Sequence, residues 1–187
     1  MQLCTYIMTY DYGFAPNPYG NYCTLAACTP NYRGIKVEVG DYMCGLYNDT
    51  NGYKIIYFMK ITDKLGYHEY YMDKRFQYKK PKVMGTYQQK CGDNYYHKEN
   101  GEWVRDKNYW HSDVSEYFEK ETRYAIVFIS NDFYYFGKDK IDLPKRYSAL
   151  IPGRSPKRNH DQKLVEDFIN WMESKTPKGK IDEPLHK

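Results

Sequence analysis

The sequence has few of the features that mark membrane, secreted or zinc-binding proteins. No stretch approaches the roughly 20 consecutive apolar residues of a membrane-spanning helix, and mean hydropathy is clearly polar. The first residues do not form a charged region followed by an apolar one, so we expect no secretory signal. The 5 cysteines form no CxxC pair and no metal-ligand spacing. We therefore expect reduced thiols, packed as small hydrophobic side chains in a cytoplasmic protein with no membrane partner.

A strong excess of one charge is also absent. Lys and Arg number 28 against 24 Asp and Glu, and a formal charge of +4 neither demands nor excludes a polyanionic partner. The unusual feature is aromatic, since 23 tyrosines help to bring the aromatic fraction to 18%. A tyrosine ring suits a half-buried sheet and equally suits a pocket that stacks on a flat ligand. Most of these rings are expected to be ordinary sheet packing.

Alternating apolar residues and turn-forming residues predict a chain made mainly of β strands. The predicted strands are residues 3–10, 22–27, 35–39, 42–47, 53–62, 102–105, 124–130 and 133–136. The run 124–130 is the most apolar and is expected to be central in its sheet. A short helix is predicted within 66–76. A longer one carries an apolar stripe from Leu164 to Met172, with Asn159 or Asp161 as its cap.

These elements predict one α+β domain over residues 1–173, in which a curved, mostly antiparallel, partly closed sheet is flanked by helices. At 187 residues, two independent domains would each be small and marginal. Residues 174–187 are rich in Lys, Pro and Gly, with hardly an apolar residue. We predict a mobile basic tail there.

The loop after the first strand is the first candidate ligand site. Residues 11–20 contain Phe14, Asn17 and Tyr19 among several Gly and Pro residues. A loop of this composition is costly to order unless it packs on something, and loops on a rigid sheet are where ligands usually bind. An amide and aromatic rings offer a base its edge hydrogen bonds and a stacking face. A packed structural loop is an equally weighted alternative.

The second candidate is the block at residues 91–97. Asp93, Asn94 and His97 are convergent polar groups in this interpretation, and Asp93 with His97 is the minimum for acid–base catalysis. We favour a plain turn over a catalytic site, because no nucleophilic residue lies at a spacing that is typical of catalysis. Cys91, His97 and His111 match no closed zinc pattern, so we predict no metal and no cofactor.

Two tryptophans and a basic stretch are further candidates for ligand contact. Trp103 and Trp110 are candidates for an aromatic box that holds an altered base, although most aromatic clusters are core. A basic stretch offers contacts to phosphate, with an ordinary solvated surface as the favoured alternative. Its residues are Lys145, Arg146, Arg154, Lys157 and Arg158.

Ordered blocks of the sequence carry a resemblance to a known family. The blocks are DYGFAPNPYGNYCTLAAC at 11–28, VGD at 39–41, the runs 56–65 and 70–76, GDNYYH at 92–97, and Phe136-Gly137. In this order they resemble the nucleotide modification associated domain 2 family over roughly residues 1–150. The resemblance implies a protein of bacteria or phages, associated with systems that modify bases in nucleic acid. The order of strands and the Tyr-rich helix is also similar to the PUA-like group, whose EVE and YTH domains accept a flipped modified base in an aromatic pocket.

Three hypotheses of function remain open at this point. The first is a binding module for a modified base or nucleotide, whose partner is a nucleotide or a nucleic acid that carries the modification. The second is an enzyme acting on a nucleotide or base, with Asp93 and His97 as its acid–base pair. The third is a protein that sequesters a nucleotide signal or docks on another protein in a phage–bacteria conflict. We rank them in this order, which leans against an enzyme.

Overall fold

A computed structural model describes residues 1–27, 34–110, 115–175 and 177–187. The strands are β1 (Leu3–Ile7), β2 (Cys23–Leu25), β3 (Tyr42–Asp49), β4 (Gly52–Lys60), β5 (Asp63–Gly66), β6 (Tyr96–Glu99), β7 (Glu102–Arg105), β8 (Ile126–Ser130), β9 (Asp132–Tyr135), β10 (Ile141–Asp142) and β11 (Gly179–Lys180). The α helices are α1 (Tyr67–Met72), α2 (Tyr87–Lys90), α3 (Ser115–Thr122) and α4 (Gln162–Glu173). Short 3-10 helices span Lys74–Lys79, Gly137–Asp139 and Lys145–Leu150. The protein is therefore a mixed α+β structure, as predicted.

The chain divides into two compact units. The first unit comprises Met1–Asp11, Val37–Thr62 and Ser130–Lys187, and the second comprises Tyr12–Lys36 and Asp63–Ile129. Whether both units form one domain over residues 1–173 stays a prediction. None of the described helices has the length and apolar character needed to cross a membrane.

The first unit is built on a 6-stranded open sheet in the order β1-β3-β4-β9-β11, with β10 also paired to β4. β4 runs antiparallel to its neighbours β3, β9 and β10, whereas β1 pairs with β3, and β11 with β9, in parallel. The predicted strands 42–47 and 53–62 form a hairpin, in which Asp49 faces Gly52 across the β3–β4 turn. The sheet is mostly antiparallel, and within the described residues its two end strands, β1 and β11, do not pair with each other to close a barrel.

Helix α4 covers the core of the first unit. Its buried side chains are Val165, Phe168, Ile169 and Met172, which share one face because they recur every three or four residues. They join a cluster of buried sheet residues that includes Leu3 and other apolar side chains. Asp161 caps the helix by accepting a hydrogen bond from the Leu164 N–H at 2.9 Å. The predicted helix and one of its two predicted caps are thus confirmed.

The second unit holds a 3-stranded sheet, β2-β8-β5, and the hairpin β6–β7. β8 is the central strand of the three, as its apolar sequence predicted. Helix α1 and the 3-10 helix at Lys74–Lys79 occupy the region predicted as a short helix. Buried aromatic rings form most of the core of this unit. They are Phe14, Tyr67, Tyr70, Phe76, Tyr95 and Tyr96.

The predicted strand at residues 35–39 is wrong. Residues 35–38 belong to no regular element, although Val37 is buried. The Asp41 carboxylate instead accepts hydrogen bonds from the Glu38 and Gln2 N–H groups. The Asp41 N–H donates back to the Glu38 carbonyl, which closes a turn in place of a ladder.

The segment predicted as a mobile tail contains β11. Gly179 and Lys180 pair with Tyr134 and Tyr135 of β9. Farther on, the Leu185 N–H donates to Asp11 Oδ2 at 3.0 Å, and the Asp11 N–H donates to His186 Nδ1 at 3.0 Å. Composition gave no sign of this strand, because its hydrogen bonds use backbone groups that every residue carries.

Candidate functional site

Asn17, the amide singled out in the first loop, lies at the centre of a buried hydrogen-bond network in the second unit. Its backbone exchanges two hydrogen bonds with Thr24, at 2.8 and 3.0 Å. Its Nδ2 donates to the Cys91 carbonyl at 2.7 Å, and its Oδ1 accepts from the Tyr19 N–H at 3.1 Å. Asn17 is only 1% exposed. The side chain therefore ties the loop to residue 91, and its hydrogen-bonding atoms already have partners.

Lys79 is a member of this network that sequence reasoning missed. Its side chain is 1% exposed, and its Nζ donates to the Asn17 carbonyl at 3.0 Å and to Asn17 Oδ1 at 2.8 Å. Burial lowers the pKa of Lys79 to about 8, while the nearby Asp93 charge acts in the opposite direction. The two hydrogen bonds to Asn17 also favour the charged form. A buried ammonium is thus held by Asn17 and is influenced by the charge of Asp93.

Asp93 is the acidic member of the same network. Its two carboxylate oxygens accept hydrogen bonds from Thr24 Oγ1 at 2.6 Å and from the Tyr70 hydroxyl at 2.8 Å. Burial raises the pKa of Asp93, and the Lys79 charge opposes that rise. Burial and the Asp93 charge together raise the pKa of the Tyr70 hydroxyl well above its usual value. The carboxylate is saturated by donors and faces a buried cation.

Asn94 connects the network to the helical segments. Its Nδ2 donates to the Tyr70 and Phe76 carbonyls, both at 3.1 Å, and its backbone N–H donates to the Lys79 carbonyl. Its Oδ1 is buried and has no hydrogen-bond partner in the described part of the chain. Gly92, just before Asp93, lies so close that an added Cβ would meet the Lys79 carbonyl oxygen at 2.6 Å. The block at residues 92–94 is therefore packed against the 3-10 helix.

We call Asn17, Thr24, Tyr70, Lys79, Asp93 and Asn94 the buried polar network. The sequence predicted that the first loop and the 91–97 block carry convergent polar groups, and the structure places Asn17, Asp93 and Asn94 in this one network. Each of the three is at most 2% exposed. In this state the network holds the loops in place, and its polar atoms are turned toward one another.

His97 belongs to a different set of contacts. It lies on β6, where its ring stacks on Tyr71 with centroids 4.2 Å apart. Its Nε2 is 3.0 Å from Glu99 Oε1, and its buried Nδ1 has no partner among the described residues. Within those residues no hydrogen bond joins His97 to Asp93. The predicted acid–base pair therefore consists of two groups that face different partners.

Phe14 and Trp103 lie on the aromatic core of the second unit. Phe14 is buried, and its ring centroid is 5.8 Å from that of Tyr95. Trp103, on β7, is half-buried and meets Tyr67 edge-on at 6.1 Å. The Lys98 ammonium lies 4.8 Å from the Trp103 ring centroid. Of these two candidates, Trp103 retains exposed ring surface.

Trp110 is the centre of a separate group of rings. Its indole stacks on Tyr12 at 4.6 Å between centroids with 19° between planes, while Tyr87 and Tyr109 meet it edge-on at 6.0 and 5.0 Å. We call these four residues the Trp110 cluster. The backbone N–H of Trp110 donates to Asn108 Oδ1 at 2.7 Å. The buried indole Nε1 has no hydrogen-bond partner among the described residues.

The Trp110 cluster is anchored to the same loops as the network. The Tyr87 hydroxyl and the Cys91 thiol both donate to the Tyr12 carbonyl, at 2.9 and 3.2 Å. Asn108 Nδ2 donates to the Gly92 carbonyl at 3.1 Å. The rings are therefore fixed in place by backbone groups of the loop and of the 91–97 block.

Glu121 is a further buried acid that the sequence did not indicate. The hydroxyls of Tyr95 and Tyr96 both donate to its Oε2, at 3.0 and 2.7 Å. Burial, followed by the Glu121 charge, raises the pKa of both tyrosines. No spacing rule links residues so far apart in the chain, so only the fold brings them together.

A metal site was not predicted, and the described residues contain no group of three His, Cys, Asp or Glu side chains placed to hold a metal ion. Cys4, Cys23, Cys44 and Cys91 are buried free thiols. His111, which was weighed as a ligand, and Cys28 lie outside the described residues.

Comparison with known proteins supplies one match. No curated protein and no solved structure matches the chain. The sequence model of one family matches residues 1–187, farther than the roughly 150 residues over which the resemblance was traced. The chain belongs to the nucleotide modification associated domain 2 family.

Proposed function

We propose that the protein is a binding module that recognises a modified base or a nucleotide, in a bacterial or phage system that modifies nucleic acid. The observation that carries this proposal is the Trp110 cluster, where stacked rings surround an indole N–H without a partner among the described residues. Family membership supports the general role in nucleotide modification. The ligand class is our inference from the chemistry of the rings.

The cluster suits a flat heterocycle for two physical reasons. Stacking of a base on an aromatic side chain contributes roughly 1–3 kcal/mol and needs no particular base edge. A buried N–H without a partner is costly, about 1–3 kcal/mol, and a ligand acceptor that reaches it recovers that cost. Because Trp110 is half-buried and Tyr109 is 50% exposed, ring surface is already open to a ligand.

The surrounding hydrogen bonds prepare the site for binding. Tyr12 and Trp110 are held through backbone contacts to Tyr87 and Asn108. Ordering these groups before the ligand arrives reduces the entropy that binding must overcome. The Lys90 ammonium, 4.7 Å from the Tyr109 ring centroid, adds a cation at the edge of the cluster. A PUA-like arrangement with an aromatic pocket is part of the same proposal.

The buried free thiols support a reducing compartment, so we place the protein in the cytoplasm as part of this proposal. An enzymatic role for Asp93 and His97 has less support, because they share no hydrogen bond within the described residues. A proton-transfer pair is expected to lie within hydrogen-bond reach of a common reacting group.

The proposal is tested with a panel of plain and modified nucleosides and nucleotides, followed by tryptophan fluorescence and thermal unfolding. The three tryptophans divide between the units, with Trp103 and Trp110 in the second and Trp171 in the first. We expect the Trp171→Phe variant to bind a base with the same dissociation constant as the wild type, measured by quenching of tryptophan fluorescence. Trp110→Phe keeps a ring but removes the indole N–H, so we expect it to bind at least fivefold more weakly.

The control is therefore a matched Trp→Phe substitution in the other unit. Equal affinity of Trp110→Phe and wild type for every ligand that binds would show that the cluster is packing and not a site. A panel without any selective binder would count against nucleoside recognition as a whole. Ligand at about 100 times its dissociation constant adds roughly 2.7 kcal/mol, so binding is visible as a shift in the unfolding midpoint.

A further inference from the structure

The loop at residues 153–159 forms a basic depression in the first unit. Its cavity volume is about 530 Å³, and it is lined by Gly153, Arg154, Ser155, Pro156, Lys157, Arg158 and Asn159. Three of these residues are cationic and none carries a carboxylate. An aspartate or glutamate in the lining would have neutralised part of this charge. The depression therefore presents concentrated positive charge to solvent.

The backbone of this loop is fixed by contacts to β1. Thr5 and Lys157 exchange two backbone hydrogen bonds, at 2.9 and 2.8 Å. The Thr5 hydroxyl donates to the Leu150 carbonyl at 2.7 Å and lies 3.2 Å from His160 Nε2. A loop held in this way presents its side chains from a defined position, so less entropy is lost when they bind a ligand.

The cations of the depression differ in how they are engaged. Lys157 Nζ donates to the Ala149 carbonyl at 2.8 Å, and an ammonium has two further N–H groups to offer. Arg154 is exposed and forms no ion pair within the described residues. A guanidinium presents paired N–H donors that match two oxygens of one phosphate.

His160 and Asp161 follow this loop directly in the chain. Burial, followed by the Lys157 charge, lowers the pKa of His160, so its ring is neutral near pH 7. The Asp161 carboxylate is engaged as the cap of α4, where it accepts from the Leu164 N–H. The N-terminus of that helix is therefore already satisfied and is not the feature that attracts an anion.

We propose that the depression at residues 153–159 binds a backbone phosphate of a nucleic-acid strand, with Arg154 as its principal contact. The choice of polymer rests on the proposed function, whereas the choice of phosphate rests on the charge and geometry of the loop. A phosphate contact strengthens binding without reading sequence. A strand therefore gains affinity from this contact, whereas a free nucleoside has no phosphate to make it.

The test measures binding of a fluorescent single-stranded oligonucleotide of unmodified bases at several salt concentrations. Each phosphate contact contributes a slope of about −0.7 to log K against log salt for a single strand. We expect Arg154→Ala to reduce the slope by that amount and to weaken binding about fivefold at 0.1 M salt. Lys138→Ala is the matched control, because Lys138 is also an exposed cation of the first unit, and it should leave the slope unchanged.

A second pair of variants changes the charge of the depression without removing a contact. A Cβ added at Gly153 meets nothing within 4 Å, and its φ lies outside the strained positive range, so Gly153→Glu and Gly153→Lys should both fold. We expect Gly153→Glu to weaken oligonucleotide binding several-fold and Gly153→Lys to strengthen it. Equal affinities for these two variants would overturn the inference.

The outcome is separable from that of the nucleoside panel. Nucleosides carry no phosphate, so their binding should be the same in Arg154→Ala and wild type. Binding of nucleosides together with an oligonucleotide slope that Arg154→Ala does not change would refute the phosphate site and leave the proposed function standing. A flat nucleoside panel with an Arg154-dependent slope would do the reverse. Absence of oligonucleotide binding at 50 mM salt would also overturn the inference.

Discussion

Replacing Lys79 by methionine is expected to be among the most destabilising single changes in the second unit. Methionine has a similar length and fills the same space, so the main loss is the ammonium and its two hydrogen bonds to Asn17. Asp93 then remains buried without its counter-charge, although Thr24 and Tyr70 still donate to it. A hydrogen bond to a charged group contributes roughly 1.5–3 kcal/mol, so the loss of both should cost about 3 kcal/mol or more.

The magnitude is large compared with the stability that a domain has to lose. Folded domains are stable by roughly 5–15 kcal/mol, so the Lys79→Met variant should fold but unfold at a much lower urea concentration. With a slope of roughly 1–3 kcal/mol per molar urea, a loss of 3 kcal/mol moves the midpoint by about 1–3 M. Fluorescence in a Trp171→Phe background reports unfolding of the second unit through its own tryptophans.

Lys74→Met is the matched control. Lys74 begins the same 3-10 helix that Lys79 ends, and it is exposed. Surface substitutions of this kind usually change stability by no more than about 0.5 kcal/mol. If Lys79→Met and Lys74→Met shift the midpoint equally, the argument that the buried Lys79 ammonium stabilises the second unit is refuted.

A double-mutant cycle tests whether Lys79 and Asp93 act as a pair. Asp93→Asn keeps the size of the side chain but removes its charge, which leaves Lys79 buried without a counter-ion. In the double variant neither charge is buried, so we expect its loss of stability to fall short of the sum of the single losses by about 1–3 kcal/mol. Additive losses would show that the two charges contribute independently.

Three further predictions concern pH, the C-terminal segment and helix α4. Burial lowers the pKa of Lys79 to about 8, so between pH 8 and 10 Lys79 itself binds more protons in the unfolded chain; in urea titrations the wild type should therefore gain stability relative to Lys79→Met over that range, because the other titrating groups are common to both proteins. Asp11→Asn replaces one of two oxygens that accept from the Tyr135 hydroxyl and the Leu185 N–H, which should cost about 1–3 kcal/mol and speed tryptic release of the C-terminal segment, whereas unchanged cleavage would contradict this anchoring. Asp161→Ala removes the α4 cap and should lower stability by about 1 kcal/mol in thermal unfolding, with Asp161→Ser close to wild type.

The elements that the sequence predicted are those with long periodic patterns. Strands β3 and β4 alternate across a turn rich in Asn, Asp and Gly, and α4 repeats its apolar residues at helical spacing. Most of the elements that it missed are short, such as β5, β10 and α2, at 4 residues or fewer, and the longest is α3 at 8 residues. Such elements form because their backbone groups meet partners that the fold supplies, and a few residues carry too little periodicity to reveal that.

Burial of Lys79 was beyond prediction for a related reason. The segment Lys74–Lys79 contains two lysines and an arginine, and such a segment ordinarily faces solvent. The contacts that bury Lys79 come from Asn17, 62 residues earlier, and the charge that faces it comes from Asp93. Local sequence does not encode a partner at that separation.

The division of roles in the second unit decides which variants are informative about ligand binding. The sequence predicts that Asn17 meets a base edge and that Asp93 is a convergent polar group, but the hydrogen bonds of both side chains hold the loop and the 91–97 block in place. A loss of binding in Asn17→Ala would therefore combine a structural effect with any direct one. Trp110→Phe avoids this ambiguity, since it leaves the network intact and changes only the ring and its N–H. If Asn17→Ala keeps wild-type stability, a ligand that tolerates Trp110→Phe but not Asn17→Ala would have to contact the network itself, which requires the loop at residues 11–20 to open.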